Sequence, residues 1–129
     1  MKTTIAILLA SMSGVATAKT DTDYPHRDWG KELVLDMSLI DATACITREK
    51  GRQGTATVIP AEGGNDIDFK VAPVLFAGPS GEPWETFKVR ESNGVTTLKV
   101  FYRHPYRQAT ISKDMAKLAK KCLRVKSGL

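Results

Sequence analysis

The chain has 129 residues, 42% of them hydrophobic, and carries 19 basic against 14 acidic side chains for a net charge of +5. That length suits one domain, and the apolar content is enough for a core, which excludes a wholly disordered chain. Two cysteines and two histidines leave little material for metal or thiol chemistry.

Residues 1–18, MKTTIAILLASMSGVATA, have the form of a secretory signal peptide. Lys2 supplies a positive start, Ile5 to Ala10 a short apolar run, and Ala16-Thr17-Ala18 a small-residue cleavage signal. The run is too short to span a bilayer, and no later stretch could do so. The expectation is an exported protein, periplasmic or extracellular. In such a compartment Cys45 and Cys122 are expected to pair as a disulfide.

Residues 19–27, KTDTDYPHR, read as an extended polar tail preceding a single domain over 28–129. Asp28 can cap a helix. Trp29, Leu33, Val34, Met37, Ile40, Ala44 and Cys45 then recur at the three-and-four spacing of one helical face. The stretch REKGRQG, with Gly51 and Gly54, ends it.

Four strand-like runs follow. TATVIPA and DIDFKV alternate about a possible Gly63-Gly64 turn, which would set Val58 opposite Phe69 and Ala56 opposite Val71. WETFKVRE and VTTLKVFYR flank Asn93-Gly94, the strongest short hairpin signal. With those two residues as the loop, Ser92 opposes Val95, Val89 opposes Leu98, Phe87 opposes Val100 and Glu85 opposes Tyr102. The apolar residues of both strands then share one face. The loop AGPSGEP links the hairpins. A last helix is expected over ISKDMAKLAKKCLRVK, with Ser112 as N-cap and Asp114 near the positive end of its dipole.

The expected fold is therefore α+β: an N-terminal helix, a four-stranded antiparallel meander of two hairpins, and a C-terminal helix. Both helices would cover one sheet face, because an antiparallel sheet with one apolar face needs such a cover. Cys45 and Cys122 both fall on apolar helix faces, so the bridge would tie the covering elements together.

Function is less defined. The chain lacks a G-x-S-x-G elbow, an H-E-x-x-H pair, a phosphate loop and any closely spaced histidine–carboxylate cluster. The two cysteines lack metal-ligand spacing. No metal, other cofactor or catalytic residue is therefore assigned. The leading expectation is a non-enzymatic binding or accessory module. One rival is a small secreted enzyme using His104 with Arg103 and Arg107; another is a purely structural envelope or particle component.

Two surfaces could bind. On the sheet face away from the core, Trp84 would oppose Arg103 and Thr86 would oppose Phe101, with Lys99 alongside. Clustered exposed aromatics with cationic neighbours suggest binding, unless the tail with Tyr24, or the loop with Leu75 and Phe76, folds over them. The second surface is the basic end of the chain. Residues 103–129 hold eight basic side chains against Asp114 alone, among them Lys117, Lys120, Lys121 and Arg124 on the last helix. Such a surface favours a protein or an anionic envelope component, whether lipid headgroup, lipopolysaccharide or cell-wall polymer. Nucleic acid fits the charge but not an exported location.

Overall fold

A computed structural model describes residues 19, 23–71, 82–103 and 106–129. Among these residues the chain forms one antiparallel sheet and two helices. The strands are β1 (Arg27–Leu35), β2 (Gly54–Ala61), β3 (Gly64–Val71), β4 (Glu85–Ser92), β5 (Val95–Tyr102) and β6 (Val125–Ser127). The helices are α1 (Leu39–Gly51), between β1 and β2, and α2 (Gln108–Lys121), between β5 and β6. The spatial order of the sheet is β2-β3-β4-β5-β1-β6. The class is α+β, but the sheet has six strands and not the expected four-stranded meander.

The two additional strands come from the two expected helices. The spacing of four between Trp29, Leu33 and Met37 serves a helical face and equally serves one face of a strand, since four is a multiple of two. Trp29, Leu33 and Leu35 are all buried, and Leu33 pairs with Leu98 and Leu35 with Thr96 across β5. The register shifts between Asp28 and Glu32. Two extra residues are accommodated there, with Gly30 at φ +85° and its N–H donating to Asp28 Oδ1 at 2.9 Å. Glycine reaches that left-handed conformation without the Cβ clash other residues meet. The helix proper begins only at Leu39, where the Ser38 side chain accepts from the Asp41 N–H.

At the other end α2 starts earlier than expected. Its N-cap is Arg107, which makes no side-chain cap bond, and not Ser112. It also stops earlier, with Cys122 as C-cap. Val125–Ser127 turn back to pair with Val34 and Leu35 of β1, and the Asp36 N–H donates to the Arg124 carbonyl at 2.8 Å.

The hairpins follow the expected patterning more closely. In β4–β5 every expected pair is present, from Ser92↔Val95 to Glu85↔Tyr102, about Asn93-Gly94 with both residues at positive φ. In β2–β3 the turn is Glu62-Gly63, so Val58 faces Ile67 and Ala56 faces Phe69. The expected register is thus off by two residues. A shift of two preserves side-chain parity, which is why the apolar residues still share a face. Gly64 cannot be a loop residue, because it is packed so closely on β4 that a Cβ there would collide with the Val89 carbonyl.

One core lies between a single sheet face and both helices. It joins Trp29, Leu33, Ile67, Phe69, Phe87, Val89, Leu98 and Val100 to Ala42, Cys45 and Ile46 of α1 and Ile111, Met115 and Leu118 of α2. Cys45 and Cys122 form a disulfide with their Cα atoms 5.7 Å apart, closing 77 positions of chain. Among the described residues no helix is long and apolar enough to cross a membrane.

Candidate functional site

The sheet face away from the helices carries Lys99 and Phe101 of β5, and Trp84 and Arg103 lie just beyond the ends of β4 and β5. Thr86 pairs with Phe101, and the Arg103 N–H donates to the Trp84 carbonyl at 3.0 Å, so the backbones of these residues are adjacent as expected. These side chains have partners within the chain. The Tyr24 ring stacks on Phe101 with centroids 4.6 Å apart. The Lys99 ammonium lies 3.6 Å from Asp28. Arg103 approaches Glu82, 3.9 Å from its carboxylate and 3.3 Å from its carbonyl. Trp84 meets Tyr106 edge-on at 5.3 Å.

Tyr24 is held there by a polar network built on Asp66 and Asp68 of β3. Asp66 is fully buried. It accepts from the Tyr24 hydroxyl at 2.9 Å and pairs with Arg90 at 2.9 Å. Asp68 accepts from Lys19 at 2.6 Å and from Thr86 at 2.8 Å. Burial, then the neighbouring Asp66 charge, push the Tyr24 hydroxyl up to about 12. Of the two covers weighed for this face, the Tyr24 segment is one; Leu75 and Phe76 lie outside the described residues.

On the core side sits a charged cluster that sequence reading missed. Lys50, at the last turn of α1, is 3% exposed. Its ammonium donates to Asp114 of α2 at 2.6 Å and lies 2.9 Å from Glu85 of β4. It also faces the Phe69 ring, 4.2 Å from the centroid. Burial raises Glu85 from 4.5 to about 7; Lys50 works against the rise and Asp114 adds to it. The Tyr106 hydroxyl is pushed up to about 12, first by burial and then by Glu85 and Asp114. The signal was present in the alternation of β4, which puts a glutamate on the core face opposite Tyr102. A buried carboxylate there requires a buried cation.

This cluster changes the electrostatics of α2. Asp114, the helix's only acid, is turned inward to Lys50. Lys113, Lys117, Lys120 and Lys121 are exposed, and none of them has a carboxylate partner among the described residues. Lys117, Lys120 and Lys121 line a cleft of about 360 Å³ between the ends of α1 and α2, with Leu118 and Asp114 behind them and Glu49 and Gln53 opposite. Arg124 lies elsewhere. It borders a groove of about 760 Å³ beside Met37 and Val95, and its guanidinium donates to the Asp36 carbonyl at 3.0 Å.

His104 lies outside the described residues. Arg107 is exposed and lines a recess with Arg27, Tyr102 and Tyr106. No group of three or more histidine, cysteine or acidic side chains suited to a metal ion occurs among the described residues. Compared with protein-family models, curated proteins and solved structures, the chain matches none of them.

Proposed function

We propose that the protein is an exported, non-enzymatic accessory module that binds an anionic partner, a protein or an envelope component, through the cationic surface of α2. The observation that carries this reading is the inward turn of Asp114, which leaves the exposed lysines of α2 without an ion pair among the described residues. An unpaired cationic surface keeps its field available to an approaching anion, whereas paired charges are already neutralised. The contrast with the sheet face supports the choice, since Arg90 and Lys99 there lie 2.9 and 3.6 Å from carboxylates and Lys88 lies over the Tyr24 ring. Export is supported by the signal-like residues 1–18 and by the disulfide, which persists in oxidising compartments.

Vesicles containing phosphatidylglycerol test the surface directly. Each lysine near an anionic bilayer contributes about 1 kcal/mol, so Lys117→Ala with Lys120→Ala should weaken binding about 30-fold. A control of equal charge, Lys31→Ala with Lys70→Ala, should change it less than about 3-fold. Equal losses in the two variants would reduce the effect to net charge and overturn the assignment to α2.

A further inference from the structure

The two edges of the sheet differ in a way that bears on assembly. The β6 edge is three residues long and contains Lys126, both ordinary protections against unwanted pairing. The β2 edge is eight residues long, GTATVIPA, and contains no charged side chain. Val58 on it is 40% exposed. Its one proline, Pro60, blunts only the end of the strand, and residues 54–59 remain a long, uncharged, β-branched template for a further strand.

Pro60 reports which backbone groups of this edge are unpaired among the described residues. Proline has no N–H, so within a paired strand it occupies a position whose N–H would face away from the neighbour. Pro60 pairs with Asn65 of β3, and its nitrogen therefore faces the open side. Hydrogen-bonding direction alternates along an antiparallel strand. The N–H and C=O groups of Ala56 and Val58 consequently face the open side too, while those of Thr55, Thr57 and Ile59 are used on β3.

Charge selects the occupant. Arg52 precedes the strand and Glu62 follows it, and both are exposed. Arg52 has only a long contact of 3.9 Å to Glu49, and Glu62 has no ion pair among the described residues. An antiparallel pairing of β2 with β2 of a second copy sets Arg52 of each beside Glu62 of the other. A parallel pairing would set like charges together. The free groups also fix the register: only even-numbered residues can exchange hydrogen bonds across this edge. Thr57 opposite Thr57, with Ala56 opposite Val58, satisfies that condition and brings Arg52 opposite Glu62.

We infer that β2 is the interface of a homodimer in which two copies join edge to edge in antiparallel register about Thr57, continuing one sheet through both. The contact is isologous, so it closes at two copies and consumes the long edge. The partner is a second copy of this chain, independent of whatever binds α2.

Sedimentation of the oxidised full chain at micromolar to sub-millimolar concentration tests this. The wild type should sediment as a concentration-dependent dimer, and a monomer throughout the range would overturn the proposal. Ala56→Pro removes an outward N–H without touching β3 and should give a folded monomer. Arg52→Glu and Glu62→Arg should each weaken association at least tenfold, and the double swap should restore it. These exposed substitutions keep the question open to test if the proline variant does not fold. Failure of the double swap to restore dimers would refute the register. Under mild oxidation Thr57→Cys should cross-link as a dimer and Val58→Cys should not; the reverse would likewise count against it.

Discussion

Lys50 is the residue on which the interior electrostatics turn. It is buried against two aromatic rings and two carboxylates contributed by β4 and α2. Removing one partner of such a cluster leaves an uncompensated charge, at a cost of about 3–5 kcal/mol. Lys50→Met should therefore destabilise strongly at pH 8, as read by denaturant unfolding, and less near pH 5, where Glu85 takes up a proton. Glu85 itself gives a signed pH dependence. Its folded value of about 7 lies above its ordinary 4.5, so the folded state holds the proton more tightly. Stability contributed by Glu85 is full below pH 4.5 and declines as pH rises to 7, by about 3 kcal/mol. Glu85→Gln should remove that decline, and parallel stability curves for variant and wild type between pH 4.5 and 7 would contradict it. Glu85 was legible in the sequence, because strand alternation put it on the core face. Lys50 was not, because a lysine beside a glycine looks like a helix end in solvent until long-range packing brings β4 and α2 to it.

Elements were legible where their pairing is local. Asn93-Gly94 fixed every pair of β4–β5, because a two-residue loop leaves no freedom of register. Gly63-Gly64 located its hairpin but missed the register by two, since the close approach of Gly64 to β4 is a tertiary fact. β1 and β6 escaped because their partners lie far along the chain: β1 inserts between β5 and β6. A period-four apolar pattern gives no local reason to prefer strand over helix. The disulfide was readable from compartment and count, and it joins α1 to the C-cap of α2, next to the point where the chain turns into β6. On the chain-entropy model a closed loop of this length contributes about 4–5 kcal/mol. Replacing both cysteines with alanine should lower the unfolding free energy by that order, and a loss under about 1 kcal/mol in chemical denaturation would show that the bridge constrains little.

At the scale of the whole molecule, charge is sorted by surface. The sheet face away from the helices pairs Lys99, Arg90 and Lys19 with Asp28, Asp66 and Asp68, sets Lys88 over the Tyr24 ring and is closed in part by Tyr24. The exposed side of α2 keeps its lysines free of ion pairs among the described residues. Both surfaces are legible in the sequence but their ranking is not, because ranking depends on which acids reach which bases in space. The ranking makes α2 the centre of the functional account. Affinity capture from envelope extract measures it most directly, with three baits compared by quantitative mass spectrometry: wild type, Lys117→Ala with Lys120→Ala, and Trp84→Ala with Arg103→Ala. The account predicts that the α2 variant alone loses the captured anionic partner. A partner retained by the α2 variant and lost by the sheet-face variant would contradict it.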